Sequence, residues 1–212
     1  MLKEIILLFI LMLSQLYLNI SNADKTVWEK IKDRNGISIY IINNDTSGII
    51  KVRTSTIINA SISNIQNILE NYQQRTAWVP YLKHSRLLQS LSDNIKIEYA
   101  HFDAPWPASD RDFIYRMSRL DTTNNSISYA MKSETLETIP DMDSIIRATL
   151  IEGQYSLNKL EENRTKVDLV FHADLKGWLP LWVINIVQKA LPYRMLLNLK
   201  ALAEKNTVAK AR

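Results

Sequence analysis

Apolar positions along the 212-residue chain change their period several times. Residues 5–13 are continuously apolar, and the run continues with interruptions to Ile20. Over 26–34, Val27, Trp28 and Ile31 recur at helical spacing before Asn35-Gly36, which predicts a short helix stopped by the glycine. Residues 37–42 read as a short apolar strand and 43–48 as a turn. Residues 49–58 alternate and complete a hairpin. Ser61 or Ser63 caps a helix that carries Ile62, Ile65, Ile68, Leu69 and Tyr72 on one face and runs to Gln74. A turn rich in aromatic residues follows over 76–81.

From 84 to 173 the pattern is that of strand after strand: 85–91, 94–102, 111–120, 126–136, 144–159 and 165–173, separated by polar turns. A long helix over 179–205 ends the pattern, and Pro192 inside it should kink it near 188–191. The order is hairpin, helix, antiparallel strands, helix. The predicted fold class is α+β, with helices packed on one face of one curved antiparallel sheet. No internal repeat or linker divides the chain, so 24–212 reads as one domain.

The apolar run at the N-terminus is shorter than the roughly 20 residues a spanning helix needs. Ser21-Asn22-Ala23 places small residues at the −3 and −1 positions of a cleavage site. Residues 1–23 therefore read as a signal peptide and the product as periplasmic or secreted, an uncleaved membrane anchor being the second reading. Losing Lys3 and Glu4 leaves the formal net charge at +4. These charges are scattered, with no basic stripe of the kind that binds nucleic acid. The chain has no cysteine, hence no disulfide and no thiolate nucleophile or zinc ligand. It lacks G-x-S-x-G, H-E-x-x-H and a phosphate-binding glycine loop, and has four glycines in all. His84, His101 and His172 lie apart without metal-ligand spacing, so neither a metal nor a cofactor is expected.

Two stretches are more specific. Residues 104–113 read APWPASDRDF. Pro105 and Pro107 cannot donate to a sheet ladder, so they hold Trp106 in a turn or at a strand edge. Arg111, flanked by Asp110 and Asp112, can be satisfied locally where a strand begins. In that strand Phe113, Tyr115 and Met117 alternate with Asp112, Ile114 and Arg116. Residues 172–182 read HADLKGWLPLW: a strand end, a glycine loop, and a helix with Pro180 in its first turn. Together these stretches resemble the signatures of START lipid-transfer domains, and the resemblance extends over 24–205.

The resemblance implies a helix-grip fold, in which a curved antiparallel sheet wraps around the C-terminal helix and leaves a cavity for one lipid. Enclosure suits such a ligand, since each Å² of apolar surface removed from water gains about 25 cal/mol. The implied ligand-binding residues are Phe113, Tyr115 and Met117 from the sheet and Trp182, Val183, Ile186 and Ala190 from the helix, with Trp106 and Arg111 from the signature. Sterol-type members carry an acidic residue and an arginine as a pair inside the cavity. Here the acidic position falls on Glu98, but the arginine position falls on Met117, and Arg116 points to the other face. Alternation over 95–99 places Glu98 itself on the outer face. The expected function is to bind a phospholipid, sterol or other lipid and move it between membranes, as a monomer in transient contact with a membrane surface. The rival readings are a cyclase or aromatase built on the same cavity, with Glu98, Tyr99 and His101 as candidate acid–base groups, and a quinone-binding helper. A cleaved leader has a direct consequence: the mature chain should begin at Asp24, which N-terminal sequencing of the exported protein checks, and an intact Met1 would refute it.

Overall fold

The computed structural model describes residues 27–42 and 46–210. The expected signal segment 1–23 and residues 43–45 of the expected turn lie outside the described residues. The elements are β1 (Glu29–Arg34), β2 (Ile37–Ile42), β3 (Lys51–Ile58), α1 (Ile62–Glu70), a short 3-10 helix (Tyr72–Ala77), β4 (Leu82–Ser92), β5 (Ile95–Phe102), β6 (Asp110–Thr122), β7 (Ser126–Ser133), β8 (Ile145–Arg147), β9 (Thr149–Glu161), β10 (Arg164–Asp174) and α2 (Leu181–Lys210). The strands form one sheet in the order β1-β2-β3-β10-β9-β7-β6-β5-β4, with β8 beside β6. All pairs in that order are antiparallel, and β8 runs parallel to β6. The β3–β10 pairing closes the N-terminal hairpin onto the later meander. The sheet curves around α2, as a helix-grip fold requires.

The helix expected over 26–34 is instead strand β1, paired with β2. Asn35 and Gly36 have φ of 53° and 71°, so they make the two-residue, positive-φ turn that joins hairpin strands. All six residues of β1 are exposed, so ladder hydrogen bonds rather than burial hold it, and apolar spacing there carries no information about the core. Two strand boundaries also move. The stretch 126–136 leaves the sheet after Ser133, and 144–159 breaks at Ala148, whose N–H donates to the Asp112 carbonyl at 2.9 Å. The departing chain lays Leu136 and Ile139 over Ile97, Tyr99 and Ile114, covering the convex face locally.

The main core lies between the concave face and the two helices. Leu196, Leu199 and Ala203 of α2 are fully buried in one cluster with Ile37, Ile58 and Leu157 of the sheet. Helix α1 starts where the Ser61 hydroxyl accepts the Asn64 N–H at 3.3 Å. The Asn64 amide then donates to the Ala203 carbonyl at 3.1 Å and to the Thr207 hydroxyl at 3.0 Å, fastening α1 to α2. Helix α2 opens after Pro180, whose carbonyl accepts the N–H groups of Val183 and Ile184. It continues to Lys210, beyond the expected end at 205.

Candidate functional site

Between sheet and helix runs an apolar path made of two chambers. The inner chamber has a free volume of about 90 Å³ and is lined by sheet residues including Ala100, Phe113, Tyr115, Met117, Met131 and Tyr155, by Arg75 and Trp78 near the 3-10 helix, and by Leu191 and Met195 of α2. The outer chamber, about 370 Å³, lies between the loop 103–109 and the first half of α2, with Val183, Ile186, Val187 and Ala190 along the helix and Arg111 and Arg194 on its walls. Phe113, Tyr115 and Met117 thus line the inner chamber, and Val183, Ile186 and Ala190 the outer one. Trp106 and Trp182 line neither. They are 92% and 67% exposed and flank the mouth, with Trp178 and Leu181 also exposed nearby.

Glu98 corrects the face read from alternation. It is 0% exposed and points inward with Tyr115. The alternation is intact, but the sheet is buried on both faces here, with Ile97 and Tyr99 under Leu136 and Ile139, so apolar positions do not mark the inside. The same alternation divides the candidate acid–base trio. Glu98 lies inside, whereas Tyr99 and His101 line a groove on the convex face.

The partner that Met117 could not supply comes from elsewhere in the chain. Arg75, in the 3-10 helix, reaches in and pairs with Glu98. Its Nη1 donates to the Tyr115 hydroxyl at 2.7 Å, its Nη2 to the Leu69 carbonyl at 2.9 Å, and the Tyr115 hydroxyl donates to Glu98 Oε2 at 2.8 Å. Burial alone would lower the Arg75 pKa. Tyr115 and Glu98 outweigh it and raise the pKa, so the guanidinium stays charged. Burial pushes the Tyr115 and Tyr155 phenols upward, so both remain protonated donors. Two lining groups have no hydrogen-bond partner among the described residues: the Trp78 indole N–H and the Tyr155 hydroxyl. No hydrophobic period could locate Arg75. The only trace in the sequence is its position just before the aromatic turn of Trp78 and Tyr81.

The mouth is strapped by the signature residues. Arg111 is buried, and its guanidinium donates to the carbonyls of Ser109, Leu175 and Lys176, tying the loop before β6 to the loop before α2. Gly177 sits against it with φ 76°, where a Cβ would meet Ile146 Cδ1 at 2.8 Å. Asp112 holds Arg147 at 2.7 Å on the convex side, and Arg116, also on that side, pairs with Glu134. Asp110 accepts the Ala104 N–H at 3.0 Å and binds Lys83 at 2.9 Å and His101 at 2.8 Å. The Ala104 bond, with Lys83 and His101 adding to it, holds the Asp110 carboxyl down at about 2.

A family model described as START domain matches residues 13–199. The chain is 24% identical over 184 residues to an uncharacterized protein of Pseudomonas aeruginosa, covering 87% of this chain and 90% of that one. It is 22% identical over 167 residues to the phosphatidylcholine transfer protein of Mus musculus, covering 76% and 77%. Among solved structures, human STARD10 superposes with a TM-score of 0.80 at 18% identity, over 93% of this chain and 80% of that one. The STAR-related lipid transfer protein fragment of Xanthomonas axonopodis gives 0.73 at 24% identity, over 83% and 98%.

Two outcomes follow from the charges. Arg75→Met leaves Glu98 buried without its cation and should cost about 3–5 kcal/mol in urea denaturation, while Arg75→Met with Glu98→Gln should recover much of it; equal losses in both variants would refute the pairing. Asp110 has a folded pKa of about 2 against about 3.9 for an unperturbed aspartate, so its clamp on Ala104 is at full strength above the unfolded value and is lost as pH falls through the folded one. The Ala104 amide resonance should therefore titrate with a midpoint near 2, and a midpoint at the ordinary carboxylate value would show that the clamp is absent in solution.

Proposed function

The chain belongs to the START domain family, and we propose that it takes up one phospholipid-class amphiphile and carries it between membranes outside the cytoplasm, as a monomer and without chemical turnover. The observation that carries this reading is the polar end of the inner chamber. The Trp78 N–H and the Tyr155 hydroxyl offer hydrogen bonds that nothing among the described residues receives, and they line the chamber together with the Arg75 guanidinium, whose Nη groups are already bonded to Glu98, Tyr115 and Leu69. A fitting head group is therefore rich in acceptors, as a phosphodiester with its ester carbonyls is. Glu98 offsets the Arg75 charge, which suits a head group bearing both signs. A single sterol hydroxyl accepts at most two hydrogen bonds, whereas a phosphodiester with its ester carbonyls accepts several more. The similarity to a phosphatidylcholine transfer protein agrees with this choice.

The mouth suits a membrane surface. Trp106, Trp178, Trp182 and Ile186 are exposed around it, and indole rings favour the boundary between head groups and acyl chains. Among the described residues no helix is long and apolar enough to cross a membrane. A cyclase reading is less well supported. Glu98, the acidic candidate on the inner face, is committed to Arg75 and lines neither chamber, and Tyr99 and His101 open on the convex face. Native mass spectrometry of the protein purified from its host, followed by lipid extraction, should find one phospholipid per chain. A sterol in its place, or turnover of a polyketide-like substrate that depends on Glu98, would overturn the reading. Trp106→Ala with Trp182→Ala should weaken binding to phospholipid vesicles while the purified protein keeps its bound lipid.

A further inference from the structure

The groove on the convex face lies across the sheet from the lipid path. Its free volume is about 510 Å³, within the roughly 300–1,000 Å³ of an ordinary small-ligand site. Strands β4 and β5 build it. His84 stands opposite His101 and Arg86 opposite Tyr99, so these four side chains share one face. Lys83, Thr76 and the apolar side chains of Met142 and Ile145 complete its walls.

The charge of this groove is one-sided. Among the described residues its lining holds a lysine, an arginine and two histidines, and no carboxylate. Asp103 and Asp110 hold Lys83 from outside at 2.6 and 2.9 Å, and Asp110 also holds His101 at 2.8 Å. Asp110 is fixed in turn by the Ala104 N–H. Asp112, on the same face, is taken by Arg147 at 2.7 Å, and Arg147 also draws in Asp141 at 3.4 Å. Tyr99 adds no negative charge, since burial and the nearby Asp112 push its phenol up to about 12. These carboxylates therefore position Lys83 and His101 without entering the groove.

Donors are left over. The Arg86 guanidinium lies over the Tyr99 ring, with Cζ 5.0 Å from the ring centroid, and the stacking fixes its plane. The His84 ring packs beside His101 at 5.6 Å. Neither Arg86 nor His84 has a hydrogen bond or a carboxylate partner among the described residues. A lysine ammonium has three N–H groups, and Lys83 spends two of them on its aspartates. Three side chains thus offer unclaimed N–H groups around one groove. A carboxylate has only two oxygens with which to answer them. A phosphate monoester brings three acceptor oxygens and about two negative charges, and the fork of an arginine matches it bidentately.

We propose that Lys83, His84 and Arg86 form a phosphate-monoester site on the convex face, with Tyr99, Met142 and Ile145 receiving the apolar or aromatic body that carries the phosphate. The site stands apart from the lipid path and does not rest on the phospholipid reading. Such a phosphate reaches the groove either on a soluble ester or on a membrane that contains phosphatidic acid.

Phenyl phosphate titrated into the purified protein tests the proposal. The amide resonances of residues 83–86 and 99–101 should shift saturably. Inorganic phosphate should bind more weakly because it lacks the ring, and benzoate more weakly because it lacks the third oxygen and the second charge. Arg86→Met should weaken phenyl phosphate about tenfold, as the loss of a charge-assisted hydrogen bond does, and His84→Ala should weaken it too. Arg164→Met removes the same charge from an exposed pair with Glu161 that does not line the groove, and should leave binding unchanged. Vesicles of phosphatidylcholine with and without phosphatidic acid separate the sources. Recruitment by phosphatidic acid that Arg86→Met abolishes, with no response to phenyl phosphate, assigns the phosphate to a lipid surface. A response to phenyl phosphate without such recruitment assigns it to a soluble ester. Neither a saturable shift nor recruitment, or equal weakening in Arg164→Met, would overturn the site.

Discussion

A guanidinium inside an apolar core needs a carboxylate beside it, and Arg75 with Glu98 is the constraint on which the candidate site depends. Arg75 reaches Glu98 from a 3-10 helix, not from a strand, so the short segment between α1 and β4 must stay pressed against the end of the sheet. The Arg75 bond to the Leu69 carbonyl does this from within, using an acceptor at the end of α1. On the far side Glu70 of the same helix accepts from the Tyr129 hydroxyl and from Arg119, so adjacent acidic and backbone groups of α1 bind the sheet on both sides of its last turn. One end of the cavity is thereby closed by charge and hydrogen bonds. The other end is closed by apolar contact and by the loop 103–109, which Asp110 and Arg111 strap in place, and it is the end that carries the larger chamber.

The mouth is organised by residues that touch it indirectly. Arg111 satisfies three backbone carbonyls from two loops, one on each side of the outer chamber. Asp110, next to it, fixes the Trp106 loop through the Ala104 N–H. The charged triplet in the sequence is thus a set of straps: Asp110 for the loop, Arg111 for the approach to α2, and Asp112 for Arg147 on the convex face. A ligand-contact role for Arg111 is not needed to explain its burial.

Most of the architecture was legible because one-sided elements announce themselves. Strands of the meander alternate, α1 has a clean apolar face, and the two signature stretches placed the mouth of the path. Three features were not legible, each for a physical reason. Strand β1 is an exposed edge held by backbone hydrogen bonds, and its turn chemistry in Asn35-Gly36 was the better guide than its apolar spacing. The inward face of Glu98 was hidden because β5 is covered on both sides, which removes the polar–apolar contrast that alternation relies on. Arg75 was hidden because its role is set by distance in space alone. Its partners Glu98 and Tyr115 are 23 and 40 residues away in the chain.

The division of the path into two chambers follows from stability. A dry apolar void costs about 24 cal/mol per Å³, so the 90 Å³ of the inner chamber costs about 2 kcal/mol, which a folded domain can bear. A dry void of roughly 1,000 Å³ would cost more than the whole 5–15 kcal/mol that typically separates folded from unfolded chains. A fold that encloses a large apolar guest therefore has to keep its cavity contracted without the guest and let the guest's own surface become part of the core when it enters. The boundary between the two chambers, at the shared wall residues Phe102, Phe113 and Leu191, matches this need. It keeps the dry volume small around Arg75 and leaves the larger volume on the side of the path that meets solvent or membrane.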